Sequence, residues 1–195
     1  MLGKLFGPPA TQSSLVIARL NDRAQPIDRG ALYEDPLDEA LREHRAGSVT
    51  GGGTQLTADF EVEFCDIEIQ VPEPAAQSLP LIRQTLENLG APKGSKLLLE
   101  GQGEELPFGH NEGLAVYLNG TDLPDEVYAE CDFDFIYSEF NRLLDTDGQV
   151  HSFWQGPTET ALYAYGPSFE KMQTRLADFL NTYPLCQRAR VVQIA

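Results

Sequence analysis

The sequence has few cysteines, and their spacing argues against the usual roles of clustered cysteine. Cys65, Cys131 and Cys186 are far apart and odd in number. There is no CxxC motif, and no Cys and His pair has zinc-finger spacing, so a disulfide framework and a structural zinc site are both disfavoured. We predict free, mostly buried thiols in a reducing cytosol, and neither a cofactor nor a metal.

Long hydrophobic runs are also missing. The sequence has no stretch of the roughly 18 apolar residues that span a bilayer. The N-terminal segment, "MLGKLFGPPATQSS", lacks the apolar region of about 7–15 residues that a signal peptide requires. We expect residues 1–13 to form a flexible tail, and the protein to be cytoplasmic with no membrane partner.

Positive charge is scarce. The chain has 14 Lys and Arg residues against 30 Asp and Glu residues, a formal net charge of −16. Such a surface repels the phosphates of nucleic acids and the headgroups of anionic lipids, so neither is expected as a partner. It would attract a basic protein, although solubility alone also accounts for an acidic surface.

One glycine-rich stretch, "GSVTGGGT" at residues 47–54, raises the question of a phosphate-binding loop. The residues after it, "QLTADFEVEFCDIEIQV", alternate between apolar and polar, with a change of phase at Phe64–Cys65. Alternation of this kind is typical of a strand, and the phase change indicates a β-bulge. A phosphate-binding loop needs a helix after it and a GK[ST] sequence, and both are missing. We therefore place the glycines in or near a hairpin.

The order of predicted elements occurs twice. Residues 14–100 predict β-α-β-β-α-β, with Asp35 as the N-cap of the first helix. After a Gly-rich and acidic linker at 101–112, residues 113–195 predict the same order, with one long helix opened by Asp122 and a later helix capped by Ser168. This is the ferredoxin-like arrangement, so we predict an α+β protein of two tandem ferredoxin-like repeats, each an antiparallel sheet with its helices on one face. The two copies either cover each other or join edge to edge.

The C-terminal run "TALYAYGPSFEKMQTRLADFLNTYP" contains a strand end, LYxYGP, that leads into an amphipathic helix. In this part the sequence resembles small bacterial proteins of unknown function built from ferredoxin-like repeats. The resemblance covers the C-terminal part only. It implies a fold, and it attaches no catalytic residue to this chain.

An acidic cluster lies near the start of the second copy, at Asp125, Glu126, Glu130, Asp132, Asp134 and Glu139. Carboxylates at helical spacing are able to hold Mg²⁺ or Ca²⁺, but no second helix or histidine is predicted to converge on them. We predict instead a solvated face that meets water or a basic partner.

A predicted hairpin in the second copy carries His151, Trp154, Tyr163 and Tyr165. On a regular strand His151 shares a face with Phe153. If the four side chains are exposed together they form a binding surface, because Trp and Tyr supply many interface hot spots. The alternative is that they fill the core or the contact between the two copies.

Two arginines, Arg188 and Arg190, alternate on one side of the predicted last strand. They either pair with carboxylates of the same chain or, with His151, bind a ligand such as an anion.

Three functions remain open. The first is a non-enzymatic intracellular binding protein that docks another protein, in one version an immunity-type inhibitor of a basic toxin or nuclease. The second is a regulatory module with a small molecule between the two sheets. The third is an enzyme with His151 and a nearby carboxylate as acid and base. The sequence leaves homo-oligomerisation undecided.

Overall fold

Two successive stretches of the chain fold into α+β units. The structure is a computed structural model and describes residues 12–99, 103 and 105–195. The elements of the first unit are β1 (Ser13–Leu20), α1 (Pro26–Arg29), α2 (Asp35–Glu43), β2 (Ser48–Leu56), β3 (Val62–Pro72), α3 (Leu79–Asn88), β4 (Ser95–Leu99) and β5 (Glu105–Phe108). The strands lie in the order β2-β3-β1-β4-β5, and all neighbours are antiparallel.

The second unit repeats this plan without a fifth strand among the described residues. Its elements are β6 (Glu112–Asn119), α4 (Asp125–Glu130), α5 (Phe133–Leu144), β7 (Gln149–Gln155), β8 (Glu159–Gly166), α6 (Phe169–Thr182) and β9 (Arg190–Gln193). The strand order is β7-β8-β6-β9, again antiparallel throughout. The predicted α+β class and the tandem β-α-β-β-α-β repeat are confirmed.

Each sheet buries one face under its helices. Alternate residues of β1 and β3 face α2 and α3. Together with the apolar side chains of these helices they form the first core, which consists mainly of Val16, Ala18, Leu20, Leu37, Leu41, Ile67, Ile69, Ile82 and Leu86. The second core is built in the same way from Leu114, Val116, Leu118, Ile136, Phe140, Leu162, Met172 and Leu176. The helices therefore lie on one face of each sheet, as predicted.

The predicted placement of the glycines in a hairpin is confirmed. The three glycines lie within β2, which pairs antiparallel with β3, and no helix follows them. The register shifts where Gln55 and Leu56 meet Phe64 and Val62, close to the bulge that the phase change indicated.

The first helical segment begins earlier than predicted. Pro26 takes the first helical position after an extended Gln25, which suits proline because its φ is already helical. The helical backbone then continues through a π-helical turn, Gly30–Glu34, into α2. Asp35 has helical φ and ψ, so the prediction that it caps the helix is wrong.

Three further predictions need correction. The long helix opened by Asp122 is two helices, because Cys131 and Asp132 are extended and Asp132 caps α5 through Asp134 N (2.9 Å). Residues 105–108, inside the predicted linker, form β5 and pair with β4. Of the tail predicted at 1–13, residues 1–11 lie outside the described residues, and Ser13 belongs to β1.

The two sheets are separate, so the edge-to-edge alternative is wrong. The free face of the second sheet packs against one end of the first unit, at the loop between β1 and α1 and at the turn between β2 and β3. The free face of the first sheet carries half-buried Ile17 and Leu98 beside the ion pair of Arg19 and Asp66. The first unit thus covers the free face of the second sheet, whereas the described residues of the second unit do not cover the free face of the first sheet. No helix within the described ranges has the length and apolar character of a membrane span.

Candidate functional site

The contact between the units is built on tyrosines. Tyr117, Tyr163 and Tyr165 stand on the free face of the second sheet beside Ala115 and Ala161, and all five are buried. The prediction that Tyr163 and Tyr165 form an exposed binding surface is therefore wrong. The alternative is confirmed, because both side chains lie in the contact between the two copies.

A bulge in β7 brings His151 to the same contact. The pairing of β7 with β8 shifts between Val150 and Ser152, which makes His151 the extra residue. A bulge changes the direction in which the following side chains point. His151 therefore lies against Tyr165, with 4.8 Å between ring centroids, and not on the face of Phe153 as a regular strand would have it. Phe153 packs on the opposite face against Phe133 (5.2 Å).

Asp22, in the loop after β1, joins side chains of both units. Its Oδ2 accepts hydrogen bonds from the Tyr33 hydroxyl (2.7 Å) and from His151 Nδ1 (2.8 Å). Asp22 is fully buried, and its Oδ1 has no partner among the described residues. Burial, followed by the nearby Asp22 carboxylate, raises the pKa of Tyr33 well above its ordinary value.

The enzyme hypothesis required a carboxylate beside His151, and Asp22 is that carboxylate. An aspartate at Nδ1 holds an imidazole in one tautomer and leaves Nε2 for proton transfer. Here, however, His151 is only 8% exposed, with its ring between Tyr33 and Tyr165. This packing favours a structural link between the units. Nothing in the local sequence around Asp22 signals the pair.

A second polar group lies beside the first. Glu61 Oε1 accepts hydrogen bonds from the Tyr117 hydroxyl (2.6 Å) and the Tyr163 hydroxyl (2.7 Å), and it pairs with Arg23. Burial and the Glu61 contact raise the pKa of both tyrosines. The ligand position envisaged between the two sheets is thus occupied by side chains at this contact.

The loop formed by residues 21–25 makes many of the hydrogen bonds by which the first unit contacts the second. Arg23 N donates to the Tyr165 hydroxyl (2.9 Å), and Arg23 O accepts from Ser152 Oγ (2.7 Å). Asn21 Nδ2 reaches Ile194 O at 3.5 Å, and Gln25 Nε2 reaches Phe153 O at 3.5 Å. We call this segment the hub loop.

Trp154 extends the contact to the β2–β3 turn. Its Nε1 donates to Asp59 O at 3.2 Å. Its ring also packs over Gly156, where an added Cβ would collide with it. Trp154, predicted as a partner contact, thus holds the β7–β8 turn against the first unit.

One glycine of β2, Gly52, makes room for a buried arginine. Arg29 is 7% exposed and donates to Glu34 Oε1 (2.6 Å), Gly53 O (2.8 Å) and Thr54 Oγ1 (2.8 Å). A Cβ on Gly52 would lie 2.7 Å from Glu34 Oε1 and 2.9 Å from Arg29 Nη2. Gly52 therefore leaves the space in which an internal ion pair packs.

Five of the six predicted acidic residues are exposed, and the six do not share one helix. The sixth, Glu139, is half-buried and pairs with Arg142 (2.7 Å), so for Glu139 the prediction of a free, solvated carboxylate is wrong. Glu126 and Glu130 belong to α4, while Asp132 and Asp134 belong to the start of α5. Within the part of the chain that the structure describes, none of the four forms an ion pair. No group of three or more candidate metal ligands occurs in that same part.

Almost all positive charge is engaged elsewhere. Ten of the thirteen Lys and Arg residues in the described ranges form ion pairs with carboxylates, which leaves Arg45, Lys171 and Arg188. The excess carboxylates consequently present an unneutralised negative surface.

The two arginines of the last strand behave differently from each other. Arg190 forms a two-bond pair with Glu159 (2.9 and 2.8 Å) and lies over the Tyr117 ring. This is the internal pairing that the sequence left open. Arg188 precedes β9, has a positive φ, and donates to Asp122 O (3.1 Å), so the predicted alternation along a strand is wrong.

A cleft of about 440 Å³ lies between α4 and the β7–β8 turn. We call it the α4 cleft. Its apolar lining comes from both sides of the opening and consists mainly of Leu118, Tyr128, Cys131, Phe133, Phe153 and Leu185. Phe153 is 45% exposed there. Sequence reasoning missed this cleft because its residues come from four separate segments, 118–120, 128–133, 153–160 and 185.

The cysteines are free, and two of the three are buried, as predicted. Burial raises the pKa of Cys186 to about 12 and that of Cys65 well above its ordinary value. Cys131, half-buried at the α4 cleft, is the accessible thiol.

Comparison with known proteins gives a likeness of fold only. No protein-family model and no curated protein matches the sequence. Similar solved structures include the ligand-free regulatory subunit of aspartate kinase from Thermus thermophilus, at 12% identity and a TM-score of 0.28, over 85% of this chain and 92% of that chain.

An unknown protein from Galdieria sulphuraria is 12% identical, with a TM-score of 0.27, over 93% of this chain and 96% of that one. The first two RRM domains of yeast poly(U) binding protein are 11% identical, with a TM-score of 0.26, over 93% and 99%. At these values the likeness assigns no function.

Proposed function

We propose that this chain is a non-enzymatic binding protein that docks a basic protein through the acidic surface of its second unit. The observation that carries the proposal is the set of exposed carboxylates at α4 and the start of α5, which have no cation to pair with among the described residues. Complementary charge mainly speeds association and excludes wrong partners. A specific version is an immunity-type inhibitor of a basic toxin or nuclease, whose own surface is shaped to bind phosphate.

Neutralising the acidic surface provides the test. The double change Glu126→Gln and Glu130→Gln removes two exposed carboxylates one helical turn apart. A matched control is Glu39→Gln with Glu43→Gln, two exposed carboxylates at the same spacing on α2. The partner is first isolated from host extract at low salt, and its association rate is then measured against each variant.

We expect the α4 variant to associate about threefold to tenfold more slowly at low salt, and the control to change little. The difference should shrink as salt screens the charges. Equal slowing by both variants would mean that net charge acts without a docking surface. Binding insensitive to salt, or stabilisation by small metabolites in place of a protein, would contradict the proposal.

A further inference from the structure

The α4 cleft adjoins the acidic surface, and its lining combines aromatic and aliphatic side chains with polar residues such as Asn119, Gln155 and Thr158. Tyr128 lines it from α4, and Phe133 and Phe153 approach it from α5 and β7. Its volume of about 440 Å³ lies in the range of about 300–1,000 Å³ that is typical of ligand pockets. An apolar side chain that enters it would leave water and contact aromatic rings.

Helix geometry assigns different positions to the acids of α4. Asp125 is three residues before Tyr128, so both lie on the cleft side of the helix. Glu126 and Glu130 are each two residues from Tyr128, about 200° around the helix, and face away. Asp132 lies between the lining residues Cys131 and Phe133 in sequence, and Asp132 and Asp125 are both exposed. We therefore place these two carboxylates at the rim of the cleft.

The far wall of the cleft is the β7–β8 turn, which is held in place. Trp154 packs over Gly156 and is bonded to Asp59 O of the first unit. The carboxylate of Glu159, at the end of that wall, is already paired with Arg190. The wall is thus preformed, and the charge left unpaired around the opening is negative.

The negative charge of this rim favours some occupants of the cleft over others. A second copy of the chain, at a net charge of −16 and with most of its cations paired internally, would be repelled. An anionic ligand would be repelled for the same reason. We propose, on the basis of the function proposed above, that the α4 cleft receives an aromatic or long aliphatic side chain of the partner, flanked by Lys or Arg residues that meet the rim.

Two synthetic peptides of equal charge test the proposal. Both are Lys- and Arg-rich, and they differ only in a central Trp or Ala. We expect the Trp peptide to bind the full chain about tenfold more tightly, since an anchored aromatic side chain is the usual hot spot. It should also slow alkylation of Cys131 by iodoacetamide, because that thiol lines the cleft.

Two variants locate the binding. Phe153→Ala removes part of the lining and should reduce the preference for the Trp peptide to about threefold or less. Phe60→Ala, a control phenylalanine that is 76% exposed in the first unit, should leave the preference unchanged. The α4 charge variant should weaken both peptides alike.

Each outcome separates the two proposals. Equal affinity of the two peptides overturns the anchor and leaves the acidic docking function standing. A preference for Trp that survives Phe153→Ala and does not protect Cys131 places the anchor elsewhere and also overturns it. A Trp peptide with Ser in place of its cations that binds equally well would contradict the basic partner. If no basic peptide binds at low salt, the docking function fails as well.

Discussion

Asp22 lies in the loop after β1, fully buried, with one carboxylate oxygen bonded to side chains of both units. A buried carboxylate is costly unless donors surround it. Tyr33 and His151 are those donors, and His151 reaches the site only through the bulge in β7. At the scale of single residues, the contact between the units therefore depends on a small number of hydrogen bonds.

Removing one donor at a time should show how much each contributes. We expect His151→Ala to lower the free energy of unfolding by about 3–5 kcal/mol, because it leaves Asp22 buried beside an empty space. Tyr33→Phe deletes only one hydrogen bond and should cost about 1–2 kcal/mol. Urea unfolding measures both.

The control for this pair is Arg42→Gln, which breaks an ion pair with Asp38 in which the arginine is 68% exposed. An exposed pair of this kind contributes about 0–1 kcal/mol. If His151→Ala costs no more than this control, the Asp22 contact does not stabilise the protein.

The local sequence predicts the surroundings of a residue well when its neighbours in space are also its neighbours in the chain. Exposure of Glu126 and Glu130 follows from charge and helical spacing. The partnership of Asp22 with His151 does not, because 129 positions separate them. Tyr163 and Tyr165 are residue types that are common in binding surfaces, but here they contact the first unit of the same chain.

At the scale of elements, β2 shows how a strand accommodates a buried cation. Arg29 and Glu34 lie against Gly52, where no side chain keeps them away from the backbone. The role of Gly52 is not visible in the local sequence, because Arg29 comes from α1, 23 residues earlier in the chain.

Alanine substitutions at two neighbouring glycines test whether the packing of Arg29, and not a general property of the strand, requires glycine. Gly52→Ala would put a methyl group within 2.7 Å of Asp66 O and Glu34 Oε1, so we expect a loss of about 1–3 kcal/mol from overpacking. Gly53→Ala meets nothing within 4 Å and should be neutral or slightly stabilising. Thermal unfolding of both variants gives the comparison, and similar losses from both would show that Arg29 packing is not the cause.

Element order was predictable because alternation and helical spacing repeat within each copy. Three boundaries were not. The start of α1 depends on Pro26 following an extended Gln25, and the break before α5 depends on the extended Cys131 and Asp132. Strand β5 is short and contains Pro107, so only its pairing with β4 reveals it.

At the scale of the whole molecule, tyrosine hydroxyls dominate the buried contact. Burial, with Asp22 or Glu61 nearby, raises the pKa of Tyr33, Tyr117, Tyr163 and Tyr165 above the ordinary value of 10. The folded chain therefore keeps protons that the unfolded chain releases. Stability from these groups is fully present below pH 10 and is lost as pH rises above it.

We expect alkaline pH to unfold both units together. Above about pH 10, the free energy of unfolding should fall by about 1.4 kcal/mol per pH unit for each tyrosine that keeps its proton. Tyrosinate absorbance and near-ultraviolet circular dichroism should change in one common transition. Gradual ionisation of the buried tyrosines in a chain that stays folded would contradict this expectation.

The hub loop has a consequence for the history of the molecule. Residues 21–25 close the first unit after β1 and also cover the free sheet face of the second unit. A mutation there must suit two environments at once, so compensating changes have to arise in both copies. We expect residues on both sides of this loop to change together in evolution, and a second unit transplanted from a distant relative to fit poorly.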